Sequence, residues 1–326
     1  MSPGSPAVLD VRHPVRRAVA RWLATFAPSG PLLVAVSGGA DSLALAVAVM
    51  AAAEGRDPVA VTIDHRLQDG STDQTARCAN QLRALGFHRV DVRAVTVGAA
   101  GGREAAAREA RYRALVAAAE AVGEDCPVLL GHTLDDQAET VLLGLARGSG
   151  PRSIAGMRPW RPPWGRPLLG VRRADTENAC AAMDLSPWED PHNLDPTFTR
   201  VRLRAEVLPS LEEVLGGGVA PALARTADLL SDDLDALDSL AGEALTSALT
   251  ENGAVECGVL AASPAALRRR ALRRWLAQQS ISGLTADHLF RLDRLLDAND
   301  GAAVRAQGGA DVVRREGRLH IDHPPR

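Results

Sequence analysis

Residues 34–42 read Val34-Ala35-Val36-Ser37-Gly38-Gly39-Ala40-Asp41-Ser42, and this stretch decides the fold. Three apolar residues run directly into Ser-Gly-Gly, and a long apolar segment over residues 43–53 follows at once. The pattern predicts a buried strand, a tight turn and a buried helix. Adjacent glycines let backbone N–H groups converge on an anion, and a helix N-terminus adds partial positive charge. The stretch therefore predicts a phosphate-binding turn, with a plain strand-to-helix connection as the alternative.

Short apolar segments alternate with helical patterns on both sides of this turn. Strands are predicted over residues 31–36, 59–63, 89–97 and 128–131, and helices over residues 11–27, 43–53, 72–85, 103–122, 134–147 and 172–183. This alternation is typical of an α/β fold with a doubly wound parallel sheet. Ligands of such sheets lie at the carboxyl ends of the strands. Asp64 and His65 end the second strand and are predicted to face the site, unless Asp64 only caps a turn.

The character of the chain changes after about residue 208. Residues 148–167 are rich in Pro, Gly and Arg and are predicted to form a loop or linker. Later segments are predicted as helices over residues 211–250 and 264–298 and as strands over residues 304–306, 311–315 and 318–321. We therefore predict a catalytic domain over residues 1–208 and a smaller, mainly helical domain over residues 209–326.

The composition excludes several classes of protein. The 37 basic residues are all arginine, which excludes a Walker A loop and a Schiff-base lysine. The four cysteines include no C-x-x-C pair, which indicates buried, inert thiols. No apolar run has the length of a membrane span or the form of a signal peptide, so a cytoplasmic protein without membrane contact is expected.

Charge is segregated along the chain although the net charge is only −3. Residues 147–173 contain seven arginines and no acid, whereas residues 226–242 contain five aspartates and no base. A positive segment leading out of a nucleotide site favours contact with RNA phosphates. A loop kept soluble by its arginines is the alternative.

A second motif reads Gly-His-Thr-Leu-Asp-Asp-Gln-Ala-Glu-Thr over residues 131–140. Helical spacing places His132, Asp135, Asp136 and Glu139 on one face of the predicted helix. Clustered carboxylates suit Mg²⁺ bound with ATP and also suit recognition of a cationic amine. An acidic helix start favoured by the helix dipole is the simpler alternative.

A third pattern lies on the preceding helix, where Arg108, Arg111 and Tyr112 share a face. The planar guanidinium of arginine pairs bidentately with phosphate oxygens, which favours contact with phosphate or an RNA backbone. Solvated arginines on a surface helix are the alternative here.

Together these motifs resemble those of PP-loop enzymes, and among them the tRNA(Ile)-lysidine synthetase family. The resemblance covers about residues 30–208 and includes Arg-Pro-Leu-Leu from Arg166 onward. The part over residues 209–326 resembles the family more loosely, as a helical and mixed domain that is expected to contact tRNA. Three positions depart from the family pattern, namely Arg66, Gln68 and Val201. The resemblance implies catalytic roles for Asp41, His132, Asp135, Asp136 and Glu139. It implies ATP binding by Ser37, Gly38, Gly39, Ala40, Asp41, Ser42, Asp64 and His65. It implies Mg²⁺ ligation by Asp41 and Asp136, and RNA binding by Arg108, Arg111, Tyr112, Arg147, Arg166, Arg200, Arg202 and Arg204.

The family resemblance also implies a reaction. ATP would activate C2 of the wobble cytidine in the CAU anticodon of a minor tRNA(Ile), and free L-lysine would replace AMP to give lysidine. Two other functions stay open on the residues, a tRNA 2-thiolation enzyme of the same superfamily and a non-catalytic adenine-nucleotide sensor. Thiolation enzymes typically use paired cysteines, which this pattern lacks. A homodimer is left open as the assembly.

Overall fold

A computed structural model of the chain describes residues 9–64, 70–95, 103–148, 150–191, 195–306 and 309–323. The chain divides into two units, one of Met1–Ala146 with Gly156–Ala227 and one of Arg147–Ala155 with Asp228–Arg326. The first unit thus continues past the boundary predicted near residue 208. The assignment of two functional domains stays a prediction.

The first unit is built on a six-stranded sheet of order β3-β2-β1-β4-β6-β5. Its pairs are parallel except for β5 with β6. The strands are β1 (Leu33–Ala35), β2 (Val59–Asp64), β3 (Arg89–Ala94), β4 (Val128–Leu129), β5 (Trp160–Arg161) and β6 (Trp164–Gly165). The helices are α1 (Pro14–Phe26), α2 (Ala40–Ala52), α3 (Ser71–Ala84), α4 (Arg103–Val122), α5 (Leu134–Arg147), α7 (Arg173–Ala182), α8 (Thr199–Arg202) and α9 (Leu208–Val214), with a π-helical turn at Leu203–Val207. The predicted fold class is confirmed.

Strand β1 is buried on both faces, which explains its unbroken apolar sequence. Leu32 and Val34 pack into the cluster that includes residues of α1, α2 and α7. Leu33 packs into the opposite cluster, which contains Leu115 of α4. Packing on both faces therefore holds β1 in place, and with it the start of the turn that follows.

The loop predicted over residues 148–167 is wrong in part. Residues Pro151–Ile154 form helix α6, and β5 and β6 make a short hairpin whose second strand pairs with β4. Strands of two residues are too short to show an alternating pattern. Gly165 is required there, because an added Cβ would lie 2.5 Å from the ring of Trp22.

Two long helices predicted for the C-terminal part are each interrupted. Residues 211–250 contain the end of α9 and then α10 (Val219–Ala248), separated at Gly216, Gly217 and Gly218, which all have positive φ. The Glu212 carboxylate accepts hydrogen bonds from the backbone N–H groups of Val219 and Ala220, which caps α10. Residues 264–298 contain α12 (Ala265–Gln278) and α13 (Ala286–Leu295), whereas α11 (Cys257–Ala261) precedes them.

An antiparallel sheet of order β7-β10-β9-β8 completes the second unit. Its strands are β7 (Val255–Glu256), β8 (Ala303–Arg305), β9 (Asp311–Arg315) and β10 (Arg318–Asp322). The three predicted C-terminal strands are confirmed, and β7 is an addition. None of the helices in the described ranges combines the length and apolar character that a membrane crossing needs.

Candidate active site

The Ser-Gly-Gly turn between β1 and α2 has the geometry of an anion cradle. Gly38 has a φ of +92°, a conformation that favours glycine, and Gly39 precedes the first turn of α2. The Ser42 hydroxyl accepts from the Ser37 backbone N–H at 3.1 Å and donates to the Gly39 carbonyl at 2.9 Å. The turn is thus closed on itself at the N-terminus of a 13-residue helix, where backbone N–H groups are available to phosphate.

Gly131 brings the second motif against this turn. A Cβ added at Gly131 would lie 2.9 Å from the Asp41 carbonyl oxygen and 3.0 Å from Ser42 Cα. Only glycine permits this approach between the end of β4 and the first turn of α2. The approach places His132 and the start of α5 beside the phosphate turn.

Both motifs line one cavity of about 530 Å³ in the first unit. Ser37, Gly39, Asp41 and Ser42 come from the turn and α2, and Gly131, His132 and Asp136 come from the second motif. A further, apolar wall comes from β2, from α4 and from the residue that follows β4, and consists of Val61, Ile63, Leu115 and Leu130. The two sequence motifs, 90 residues apart, therefore meet at one site as expected from the sheet topology.

The two carboxylate oxygens of Asp136 have different partners. Its Oδ2 accepts from the backbone N–H and hydroxyl of Thr133 at 2.8 and 2.9 Å, which caps the N-terminus of α5. Its Oδ1 accepts from Arg173 Nη2 at 2.8 Å and from Arg204 Nη2 at 3.3 Å. Burial alone would raise the pKa of Asp136, but Arg173 and the Thr133 N–H outweigh it and lower the pKa. Asp136 is therefore ionised in the buried site.

Asp41 lies opposite Asp136 across the guanidinium of Arg173. Arg173 Nε donates to Asp41 Oδ2 at 3.1 Å, and the Thr176 hydroxyl makes a short hydrogen bond to the other Asp41 oxygen. Burial raises the pKa of Asp41 above its ordinary value even though Arg173 opposes the shift. Arg173 thus links the two carboxylates that the sequence predicts as metal ligands.

Glu139 is the most deeply buried of the predicted acids, with a side chain that is 0% exposed. Its Oε1 accepts from Arg204 Nε at 2.8 Å, and Arg173 Nη1 lies 4.0 Å from the same oxygen. Its Oε2 is buried and has no hydrogen-bond partner within the described part of the chain. Burial raises the pKa of Glu139 against the influence of Arg204. The free oxygen can accept a further hydrogen bond, at the cost of desolvation when it has none.

Asp135 does not join this group. Its carboxylate accepts from the backbone N–H of Arg173 at 2.8 Å and pairs with the half-exposed Arg172 at 3.0 Å. It does not line the cavity. Its catalytic role stays a prediction, and its contacts are those of a residue that anchors α7 to α5.

His132 stands between the acids and a group of arginines. Burial, together with nearby Arg166, Arg111 and Arg108, lowers its pKa to about 4 against the opposing influence of Asp136. Its Nδ1 is buried without a hydrogen-bond partner among the residues that the structure describes. The imidazole is therefore neutral at pH 7 and can accept or donate a hydrogen bond to an incoming ligand.

The arginine group is organised around Tyr112, whose ring packs edge-on against Trp164 at 4.6 Å between centroids. Arg108 Nη2 lies 3.1 Å from the Tyr112 hydroxyl, and the guanidiniums of Arg108 and Arg111 lie over the ring at 4.8 and 5.5 Å from its centroid. Arg166 is 9% exposed, and its Nε has no partner in the described ranges. Burial lowers the pKa of both Arg111 and Arg166. The group is a partly buried cluster of cations in which no acid offsets the positive charge of Arg111 or Arg166 among the described residues, and such a cluster can bind an anion.

The remaining predicted residues lie in different places. The buried Asp64 carboxylate accepts from Ser71 and Thr72 at 2.8 Å each and does not line the cavity. His65 lies outside the described residues. Arg200 is exposed, Arg202 pairs with Glu206 at 2.9 Å, and Arg147 belongs to the second unit. Their binding roles stay predictions.

The donor set fits Mg²⁺ only in part. Asp41 and Asp136 offer hard carboxylate oxygens, and Mg²⁺ is usually held by one or two carboxylates together with substrate phosphates. In the described ranges, no group of three or more His, Cys, Asp or Glu side chains is arranged to hold a metal. Arg173 occupies oxygens of both aspartates. A metal at this point would require phosphate ligands and a shift of the guanidinium.

Sequence reasoning missed Arg173, Thr176 and Trp188. Arg173 and Thr176 come from α7, and no motif spacing connects them with α2 or α5. Trp188 lines the cavity and donates its backbone N–H to the Gly38 carbonyl at 2.9 Å. The only signal in the sequence was position, since Arg173 and Thr176 closely follow the Arg-Pro-Leu-Leu stretch that begins at Arg166.

Comparisons with known proteins agree with this geometry. A model of the PP-loop domain matches residues 11–211, and a model of the TilS substrate binding domain matches residues 256–320. A tRNA(Ile)-lysidine synthase of Rhodococcus jostii (strain RHA1) is 53% identical over 325 residues, covering 98% of this chain and 97% of the relative. The tRNA(Ile)-lysidine synthase of Mycobacterium tuberculosis (strain ATCC 25618 / H37Rv) is 52% identical over 282 residues, covering 86% and 83%.

Among solved structures, the U34-tRNA thiolase NcsA from Methanococcus maripaludis superposes with a TM-score of 0.53 at 17% identity. The match covers 67% of this chain and 78% of the thiolase. At this level of identity the likeness concerns the fold alone. The sheet, the turn and the flanking helices thus follow a known architecture.

Proposed function

Since this chain belongs to the tRNA(Ile)-lysidine synthase family, we propose that it makes lysidine from a cytidine of tRNA(Ile). The family inferred from the motifs is thereby confirmed. The proposed substrates are ATP, free L-lysine and the wobble cytidine of a CAU anticodon. The observation that carries the proposal is a single cavity lined by the phosphate turn, by the carboxylates of Asp41 and Asp136, and by Arg111 and His132.

The first step joins the cytosine O2 to the α-phosphorus of ATP, and pyrophosphate leaves. The phosphate turn binds the polyphosphate through backbone N–H groups and the Ser37 and Ser42 hydroxyls. Arg111 and the neutral His132 line the same cavity and can donate to phosphate oxygens, with Arg108 and Arg166 adding positive potential. Transfer of the AMP group to O2 turns the amide-like oxygen of cytosine into part of a good leaving group.

The second step forms the C2–N bond to the ε-amine of lysine, and AMP leaves with the former O2 in its phosphate. Asp136 is the proposed acceptor for the lysine ammonium group, because it is ionised and lines the cavity. Glu139 has an oxygen without a partner among the described residues but does not line the cavity, so its proposed contact with the amine requires the site to rearrange on binding. The amine must lose a proton to become a nucleophile. The raised pKa of Glu139 suits it to take that proton.

Mg²⁺ is proposed to bind Asp41 and Asp136 together with ATP phosphates, where it would neutralise phosphate charge. The role of Arg173 without the metal is to compensate the same carboxylates. The predicted contacts of Arg147, Arg200, Arg202 and Arg204 with RNA remain part of the proposal. Of these four, Arg204 has the clearest alternative to RNA binding, because it pairs with the buried Glu139.

The thiolation alternative is less well supported by this site. Burial raises the pKa of the Cys78, Cys126 and Cys180 thiols to about 11, and all four cysteines are buried. A reactive thiolate needs a lowered pKa and exposure. A nucleotide sensor without catalytic activity would not explain why the ionised carboxylate of Asp136 lines the cavity beside the phosphate turn.

The test is incubation of the full chain with radiolabelled lysine, ATP and bulk tRNA. Label in tRNA, with AMP and pyrophosphate released in equal amounts, supports the proposal. A tRNA(Ile) transcript in which uridine replaces the wobble cytidine is the matched control and should take up no lysine. ATP binding without tRNA-dependent pyrophosphate release would support the sensor instead.

A further inference from the structure

Trp188 is unusual among the five tryptophans of the chain. Trp22 and Trp160 pack against each other, Trp164 packs on Tyr112, and Trp275 is buried with its Nε1 bonded to the Gly253 carbonyl. In the described part of the chain, Trp188 has neither an aromatic neighbour nor a hydrogen bond from its indole nitrogen. It is half-buried and lines the cavity. Trp188 thus lines the cavity, and no aromatic contact or indole hydrogen bond to the described residues accounts for its ring.

The backbone around Trp188 is held firmly. The Trp188 N–H donates to the Gly38 carbonyl at 2.9 Å, in the phosphate turn itself. Two residues earlier, Ser186 exchanges hydrogen bonds with the Gln81 side chain at 3.2 and 3.3 Å. Leu185 donates its N–H to the Cys180 carbonyl at the end of α7. The indole is thus presented by an anchored segment at the edge of the phosphate turn.

Two walls of the cavity come from opposite faces of the sheet. The apolar wall of Val61, Leu115 and Leu130 belongs to the cluster on the α4 face. The segment before Trp188 packs through Leu185 on the cluster of the α2 and α7 face. Trp188 therefore belongs to a different wall of the cavity from the apolar residues. An adenine base packed on the apolar wall would leave Trp188 free for a second base.

We propose that Trp188 is the stacking platform for the target nucleobase of the RNA, at a subsite beside the phosphate turn. This inference rests on the proposed function, because it takes the acceptor to be an unpaired cytosine of tRNA. Single-stranded bases stack on aromatic side chains with a contribution of roughly fivefold to a hundredfold in affinity. Glu189 follows in the chain and lines the same cavity, and a carboxylate accepts from the exocyclic amine of cytosine.

The test is a double-mutant cycle on binding of the full chain to tRNA(Ile) with a CAU anticodon. One RNA carries cytidine at the target position and the other an abasic nucleotide, and the proteins are wild type, Trp188→Phe and Trp188→Ala. Trp188→Ala should weaken binding of the cytidine RNA roughly tenfold. The same substitution should change binding of the abasic RNA less than twofold, and Trp188→Phe should keep most of the affinity.

A measurement of ATP binding distinguishes stacking of the RNA base on Trp188 from stacking of the adenine of ATP. The affinity for ATP without RNA should be the same in wild type and Trp188→Ala within about twofold. A tenfold loss for ATP, with no coupling in the RNA cycle, would overturn the proposal in favour of adenine stacking. Equal losses on both RNAs would overturn it in favour of a purely structural role.

Tryptophan fluorescence provides a test that does not depend on the folding of Trp188→Ala. Addition of the cytidine RNA to wild type should quench an emission component that Trp188→Phe lacks, and the abasic RNA should not quench it. Equal quenching in wild type and Trp188→Phe would contradict stacking. Lysine incorporation by wild type is measured separately, so failure of that assay refutes the function, whereas failure of the cycle alone refutes only the subsite.

Discussion

The two sides of the cavity use arginine in opposite ways. On one side, the arginines lie among acids, where Arg173 bridges Asp41 and Asp136 and Arg204 holds Glu139. On the other side, Arg111 and Arg166 gather around Tyr112 and His132. No carboxylate within the described ranges forms an ion pair with Arg111 or Arg166.

The pKa directions follow from this difference. Burial would lower the pKa of Arg173, but Asp136 and Asp41 outweigh it and raise the pKa. Burial lowers the pKa of Arg111 and Arg166, and no acid reverses it. The acidic side is thus compensated within the chain, whereas the basic side carries an uncompensated charge that a phosphate can neutralise. The same residue type is a structural counter-ion at one position and a binding group at the other.

The largest expected effect comes from removing the charge of Asp136. Asp136→Asn should reduce lysine incorporation at least a thousandfold, because Arg173 and the substrate amine lose an ionised partner in a buried site. Asparagine can still accept the Thr133 hydrogen bonds, so the helix should form and the circular dichroism spectrum should be retained at 25 °C. Its amide nitrogen then faces the donors of Arg173 and Arg204, so the free energy of unfolding should fall. The matched control is Asp135→Asn, whose partner Arg172 is half exposed, and its activity should fall tenfold or less.

Equal losses in the two variants would contradict the distinction between them. The measurement is incorporation of radiolabelled lysine into tRNA(Ile) at saturating ATP. If Asp135→Asn lost all lysine incorporation while Asp136→Asn stayed active, the catalytic carboxylate would be Asp135.

The next effect tests the internal compensation on the acidic side. Arg173→Met should lower the free energy of unfolding by about 2–3 kcal/mol at pH 8, less than for a fully buried pair because a fifth of the side chain is exposed. Without Arg173 the pKa values of Asp41 and Asp136 rise in the folded state. Protonation then favours the folded variant, so its deficit should shrink as the pH is lowered from 8 to 5.

Urea unfolding across that pH range measures the deficit. Arg172→Met is the matched control and should cost less than about 1 kcal/mol, since its ion pair is exposed. A deficit for Arg173→Met that is constant with pH would show that packing, not charge compensation, is lost.

The sequence was sufficient for the parts of this site that lie within one motif. The phosphate turn follows from two glycines between a strand and a helix, and the acidic face of α5 follows from helical spacing. Their meeting follows from the parallel sheet, because β1 and β4 are neighbours whose carboxyl ends coincide. Gly131 could have been recognised as the residue that allows the close approach.

The sequence was insufficient where contacts join distant segments. Arg173 and Arg204 lie in helices far from α5 in the chain, and arginine-rich stretches look alike whether they meet acids or solvent. Arg166 and Arg204 were both predicted to bind RNA, yet the structure surrounds them with different partners. Strands β5 and β6 were not predicted because two residues are too few to show an alternating hydrophobic pattern.

A smaller effect concerns the neutral imidazole between the two sides. The pKa of His132 is lowered to about 4 by burial and by the arginines, whereas an unfolded histidine has a pKa near 6.5. Between these values the unfolded chain binds a proton that the folded chain does not. The contribution of His132 is therefore present above pH 6.5 and is lost as the pH falls toward 4, by about 1–3 kcal/mol in all.

His132→Gln should show a shallower fall in the free energy of unfolding over this pH range. Urea unfolding at half-unit pH intervals measures the two slopes. His88→Gln, at an exposed position, is the matched control for the exchange of histidine for glutamine. Identical slopes for wild type and His132→Gln would mean that other groups account for the acid sensitivity.

The smallest effect on stability is expected from the basic side. Arg166→Met removes a buried charge that has no carboxylate partner in the described residues and whose Nε is unsatisfied. The relief of desolvation should offset the lost contact with Tyr112, so the free energy of unfolding should change by less than about 1 kcal/mol. Binding of tRNA should weaken, and the slope of log K against log salt should fall by about one. A loss of 2 kcal/mol or more with unchanged salt dependence would make Arg166 a structural counter-ion like Arg173, and the two sides of the cavity would then be alike.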